Sequence, residues 1–229
     1  GLYVLAVNTL KVSDPDGFRD KVDCYIERVN YGRDFGSYKT GFLHLFAKGW
    51  QKSCPRLLMV NDSVFYTQER APKFLDDMFS SPVQVLGATE NYEIEYHLGS
   101  FCIAMANKVL NAPAFATFWR QYRLSDVRPV VIKTGEMGLP RMIKRCVGAG
   151  EDMRALYGTT RFVTEVENSV DLADFAVRYS RTSNLVGWRR ATSEGMIDFV
   201  MAHHLLRLYL YRDSEIMSES ALRDANVLM

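Results

Sequence analysis

Long hydrophobic runs are missing from this chain. None reaches the roughly 18 apolar residues of a membrane-spanning helix, and no charged start followed by an apolar stretch reads as a signal peptide. Net charge is nearly absent as well: Lys plus Arg number 28 against 27 for Asp plus Glu, so no global field draws the chain to nucleic acid. The four cysteines, Cys24, Cys54, Cys102 and Cys146, form no C-x-x-C pair and have no zinc-ligand spacing. They read as buried or half-buried free thiols of a reducing compartment, and the expected location is cytoplasmic. Neither G-x-x-x-x-G-K-[ST] nor G-x-G-x-x-G occurs, which sets aside P-loop and nicotinamide dinucleotide chemistry. The lack of a G-x-S-x-G turn does the same for serine acyl transfer.

What remains is a globular chain of 229 residues, 48% apolar, 24% charged and 12% aromatic, with material for a sizeable core. Gly1 leads straight into the apolar run Leu2–Val7, so the natural chain is expected to begin earlier. That run reads as a buried strand ended by Asn8-Thr9. Phe18, Val22, Tyr25 and Ile26 recur at helical spacing and suggest a short helix or irregular segment before Arg28. A helix is expected over Tyr38–Ala47, strands over Arg56–Val60, Val83–Thr89 and Phe101–Met105, and helices over Lys73–Phe79, Pro113–Tyr122 and Gly138–Val147. Alternation of this kind argues for a layered α/β fold. Residues 163–180 and 195–212 carry amphipathic patterns, so the last third is expected to be helical.

Four polar groups can carry chemistry. In Arg28–Lys39 the glycines 32 and 36 let backbone approach a ligand, and Arg33 and Lys39 offer donors to phosphate oxygens. The same spacing also suits a solvated loop with a helix start at Asp34 or Ser37. Asn61-Asp62-Ser63 follows a strand, at the edge where open α/β sheets bind ligands; an Asx turn reads equally well. His97 is a candidate base or anion donor and equally a structural histidine. Glu136, between Gly135 and Gly138 at a helix head, can abstract a hydroxyl proton or simply complement the helix dipole. Phe115, Phe118, Trp119 and Tyr122 read mainly as core, with Trp119 also a stacking floor for a sugar. His203-His204 reads as a core or interface pair.

Five stretches together resemble the rhamnan synthesis protein F family of bacterial polysaccharide glycosyltransferase domains. They are R-V-N-Y-G-R-D-F-G-S-Y-K at 28–39, L-L-M-V-N-D-S-V-F at 57–65, Y-H-L-G-S-F-C-I-A-M-A-N-K-V-L at 96–110, A-F-A-T-F-W at 114–119 and G-E-M-G-L-P-R-M-I at 135–143. The resemblance covers about residues 1–160 and implies a GT-A-like α/β fold, a mixed, mainly parallel sheet flanked by helices. It implies a glycosyltransferase-like domain at 1–160, lacking the strand and helix that usually open it, and a helical extension at 161–229 packed on it.

The implied activity is transfer of a sugar from a nucleotide-diphosphate donor to a saccharide or lipid-linked saccharide acceptor in cell-surface polysaccharide assembly of the rhamnan or O-antigen kind. Asn8, Asn30, Arg33, Asp34, Lys39, Asn61, Asp62 and Ser63 would lie at the donor. Glu136 would be the base of an inverting transfer, with His97 as its substitute or as an acceptor-positioning residue beside Trp119. Asn61-Asp62-Ser63 stands where many such enzymes carry D-x-D, so Mn²⁺ or Mg²⁺ would have Asp62 as the one carboxylate of this motif.

Two other readings stand beside this one. A non-catalytic nucleotide- or carbohydrate-binding module would keep the fold without the metal-site acids. The apolar helices of 163–212, with Arg207 and Arg212, suggest either peripheral contact with the inner face of the cytoplasmic membrane or a homodimer interface.

Overall fold

The structure is a computed structural model that describes residues 2–10, 17, 19–62, 64–66, 71–91, 96–148, 152–158 and 216–218. The strands are β1 (Leu5–Asn8), β2 (Cys24–Glu27), β3 (Arg56–Val60), β4 (Val64–Tyr66), β5 (Val85–Asn91), β6 (His97–Leu98), β7 (Cys102–Ala106), β8 (Met153–Tyr157) and β9 (Ile216–Ser218). The helices are α1 (Arg33–Lys48), α2 (Ala71–Ser80), α3 (Asn107–Leu110), α4 (Pro113–Gln121), α5 (Arg128–Val131) and α6 (Gly138–Val147), with a π-turn at Ile132–Glu136 between the last two. The architecture is mixed α/β. β1 and β2 pair in parallel, β3-β7-β5-β6 follow one another with β8 beside β5, and β4 pairs β9 antiparallel. The expected helices at 163–180 and 195–212, and His203-His204, lie outside the described residues.

Contacts divide the chain into two compact units. One is Gly1–Met59, Pro82–Val85 and Ala104–Met153; the other is Val60–Ser81, Leu86–Ile103 and Arg154–Met229. In the first, α1 exists because Phe35, Tyr38, Phe42 and Leu45 recur every three or four residues and are buried. Their partners come from α4: Phe42 stacks on Trp119 at 4.7 Å and meets Phe115 edge-on at 5.0 Å. Truncating one such ring to alanine costs about 3–5 kcal/mol. Gly49, at φ 69°, turns its N–H back onto the carbonyls of Leu45 and Phe46 and stops the helix.

The loop before β3 is held from α3. Asn107 Nδ2 donates to the carbonyls of Cys54 (2.8 Å) and Gln51 (3.0 Å), and its N–H to Pro55 (2.9 Å). Such a side chain supplies backbone bonds that no regular element could offer there. α6 buries Leu139, Met142, Ile143 and Val147 and exposes Arg141, Lys144 and Arg145.

In the second unit, β5 and β6 form an antiparallel pair with Glu90 opposite Leu98 and Asn91 opposite His97. Gly87 admits Leu98 so closely that a Cβ there would stand 2.8 Å from it. α2 buries Phe74 and Met78, four residues apart.

One expectation needs correction. The helical spacing through Tyr25 and Ile26 is coincidental, because Arg19–Lys21 form a single 3-10 turn and Cys24–Glu27 are a strand in register with Leu5–Asn8. A four-residue strand takes its identity from its partner, and pairing satisfies the backbone groups. The strand expected over Arg56–Val60 and the helix over Gly138–Val147 have the expected bounds. The cysteines are free, Cys102 buried and the other three half-buried.

Candidate functional site

In the first unit, β1 and β2 end side by side with Asn8 opposite Glu27. Asn8 builds the edge itself: its Nδ2 donates to the Tyr25 hydroxyl (3.0 Å), its Oδ1 accepts from Leu10 N (3.1 Å), and its carbonyl accepts from Arg28 N (2.9 Å). The chain then passes exposed Asn30 and turns into α1 through Gly32 at φ 87° and Arg33 at φ 50°. The Arg28 guanidinium folds over the first helical turn, donating to the Tyr31 carbonyl and to Ser37 Oγ (3.3 Å). Gly36 makes this approach feasible, since a methyl there would run into the guanidinium, with Cζ at 2.8 Å. Partial burial lowers the Arg28 pKa, and the Asp126 carboxylate opposes that fall.

The front of α1 is tied to the segment after α4. Gly32 N donates to Asp126 Oδ1 (2.6 Å), Arg33 Nε to the Asp126 carbonyl (3.1 Å) and the Tyr31 hydroxyl to the Leu124 carbonyl (3.3 Å). Lys39 Nζ donates to the carbonyls of Tyr122 (2.5 Å) and Arg120 (3.2 Å). Its ammonium therefore caps the carboxyl end of α4, a position favoured for a cation. Asp34 lies exposed in the first turn of α1.

Glu136 closes the π-turn, whose signature bond runs from Met137 N to the Ile132 carbonyl (2.9 Å). Such turns are frequent at functional sites. Gly135 is buried against Phe35, and a Cβ there would stand 2.9 Å from the ring. The R-D-F-G and G-E-M-G stretches thus meet through Phe35 and Gly135. Phe35 also stacks on Tyr122 at 5.5 Å. Burial pushes the Tyr122 phenol up, Thr134 pulls it back, and the half-buried Glu136 carboxylate adds to the rise.

Trp119 requires a second correction. It is 0% exposed, enclosed by Phe35, Phe42, Phe115 and Phe118. Sugar stacking needs an open ring face, and both faces of this one belong to the core.

In the second unit, Asn61 follows β3 and its N–H donates to the Phe101 carbonyl (3.0 Å). Asp62 is exposed at the bend, and Ser63 lies outside the described residues. His97 is buried at 8% exposure and faces Asn91 across the hairpin. Glu90, equally buried, has Oε1 3.2 Å from where a Gly158 Cβ would stand. No group of three or more His, Cys, Asp or Glu able to hold a metal occurs among the described residues. A magnesium-type cation takes one or two carboxylates, waters and substrate phosphates, and Asp62 fits that mode as a single ligand. No helix among the described residues is long and apolar enough to cross a membrane.

Sequence reasoning missed Asp126, the clamping role of Arg28 and the Phe35–Gly135 contact. The bond from Gly32 to Asp126 spans 94 residues and leaves no local signal. The Phe35 contact had one clue, a buried-type aromatic between two charged or glycine positions at the head of a helix.

No family model matches the chain, and no solved structure matches it. Among curated proteins it is similar to the uncharacterized protein y4gN of Sinorhizobium fredii, 29% identical over 147 residues, 62% of this chain and 38% of the relative. It is also similar to the virulence protein VirA of Vibrio anguillarum, 28% identical over 119 residues, 51% of this chain and 38% of the relative. The matched part spans well under half the length of these curated relatives.

Proposed function

We propose that the chain is a glycosyltransferase domain of the rhamnan synthesis protein F kind. It moves a sugar from a nucleotide-diphosphate donor to a saccharide acceptor, with inversion and with Glu136 as base. The observation that carries this reading is the packing of Phe35 against Gly135. It joins the Arg33-bearing front of α1 and the Glu136 turn in one unit, beside the carboxyl ends of parallel β1 and β2.

Departure of a nucleoside diphosphate concentrates negative charge on its oxygens, and fixed positive groups there are commonly the largest catalytic contribution. Arg33 spends Nε on Asp126 and keeps two terminal amino groups for phosphate oxygens. Lys39, held on the α4 carbonyls, contributes through its field. Asn30 and Asp34, exposed on either side of Arg33, suit the hydroxyls and edges of the nucleoside. Glu136 takes the proton of the acceptor hydroxyl.

Thermal shift against a panel of nucleoside diphosphates and their sugars, with and without Mn²⁺ or Mg²⁺, tests the donor assignment. A ligand at 100 times its dissociation constant adds about 2.7 kcal/mol. Glu136→Gln should keep the shift and lose about 10²–10⁴-fold in transfer, the usual share of a general base. A shift without turnover in the unsubstituted protein identifies the binding module instead. Absence of any shift sinks the donor assignment.

A further inference from the structure

We propose that the surface carrying Tyr31, Val127, Val130, Arg128 and Lys133 docks on an anionic lipid surface, its apolar side chains entering the headgroup layer and its cations lying over the lipid phosphates. The surface belongs to the first unit and draws on none of residues 163–212. Its apolar part stands in the open: Val29 is 83% exposed, Val127 59%, Tyr31 49% and Val130 42%. Single exposed apolar residues need no explanation, whereas a group of them rimmed by one sign of charge marks an interaction surface.

Hydrogen bonds gather these residues from two parts of the chain. The Tyr31 hydroxyl donates to the Leu124 carbonyl (3.3 Å) and Arg33 Nε to the Asp126 carbonyl (3.1 Å), so the turn at 29–31 lies against the segment that continues into Val127. Tyr31 N donates to the Val29 carbonyl (2.9 Å), Val127 N to Ser125 Oγ (3.2 Å) and Val130 N to the Val127 carbonyl (2.9 Å). Ordered backbone therefore holds the apolar side chains out in solvent. Val127 and Val130, three residues apart, are neighbours on the turn of α5, while Val131 of the same turn is buried.

The rim is basic. From residue 123 to residue 133 the chain carries Arg123, Arg128 and Lys133 against Asp126 alone, a net +2 where the whole chain is +1. The three cations are exposed, and among the described residues none of them has an ion-pair partner. The Asp126 carboxylate is engaged by Gly32 N (2.6 Å), and Arg33 and Asp34 beside Tyr31 offset one another. A soluble polyanion would use the cations and leave the valines in water. A lipid surface uses both: each Lys or Arg near an anionic leaflet strengthens binding about fivefold, and the apolar side chains add in proportion to the area they bury. Tyr31 is of the type that settles at headgroup level.

Co-sedimentation of the purified chain tests the docking, with vesicles of equal parts phosphatidylglycerol and phosphatidylcholine and with phosphatidylcholine alone. It is run at about 0.1 M and about 1 M NaCl, between which the Debye length falls from about 10 Å to about 3 Å. The chain should pellet with the anionic vesicles at low salt and not with phosphatidylcholine alone, and high salt should release most of it. Arg128→Glu with Lys133→Glu should weaken binding about tenfold or more, and Val127→Ser with Val130→Ser about fivefold. Lys48→Glu with Lys52→Glu makes the same change of charge at the opposite end of α1 and should weaken it less than about twofold. Failure to pellet with anionic vesicles, or an equal loss in the Lys48 and Lys52 variant, overturns the proposal. Binding indifferent to the valine substitutions overturns it too, in favour of a soluble polyanion. None of these readouts requires sugar transfer, so the docking and the transferase reading stand or fall separately.

Discussion

The two ends of α1 are built by opposite means. At the carboxyl end, Gly49 folds its own N–H onto Leu45 and Phe46, four and three residues back, with Lys48 in the last turn. At the amino end no side chain of the helix caps it, and Gly32 and Arg33 both have positive φ. That end is held by Asp126, Leu124 and Arg28, two of them brought from across the chain. The local end is a stop signal any helix can use. The other ties the helix front to the segment that leads into the Glu136 turn, so the candidate site and the fold share one clamp.

Removing the clamp should give the largest effect. Asp126→Ala takes the acceptor from Gly32 N and the carboxylate from Arg28, and should cost about 2 kcal/mol by urea denaturation, within the range for an orphaned polar group. An unchanged midpoint would mean the front of α1 stands without it. Gly49→Ala should cost about 1 kcal/mol in the same assay, the penalty of placing a Cβ in left-handed backbone. A loss larger than that of Asp126→Ala would reverse the comparison. The smallest effect is at Arg33→Gly, where relief of positive φ is offset by the entropy of glycine and by loss of the Nε bond to the Asp126 carbonyl, so stability should change by less than about 0.5 kcal/mol. It should also weaken nucleotide binding, and a variant with binding intact would free Arg33 from the donor site.

This contrast marks what the sequence could disclose. The run Arg56–Val60 and the apolar spacing of Phe42, Leu43, Leu45 and Phe46 are local patterns; the first became the expected strand, and the second lies in the expected helix, which begins earlier than Tyr38, at Arg33. β2 was misread because four residues carry too little pattern to overrule an accidental helical spacing, and only β1 makes them a strand. Trp119 was legible in principle: Phe115, Phe118, Trp119 and Tyr122 share one helix face, and that face is the core. The head of α6 was expected at Gly135–Met137, but the π-turn could not be, because one hydrogen-bond register differs and no residue type announces it. Of the candidate site, the polar block and Glu136 were visible as motifs. Their connection through Phe35 and Gly135 was not, since packing between distant segments has no period.

The clamp also sets a schedule for the chain during synthesis. The carboxyl end of α1 can close once residue 49 has left the ribosome. Its front must wait for Asp126, 77 positions later, which at typical elongation of about 5–20 residues per second is roughly 4–15 seconds. Through that interval the nascent helix is shut behind and open ahead, and the amides of its first turn are within reach of whatever anion or chaperone meets them first.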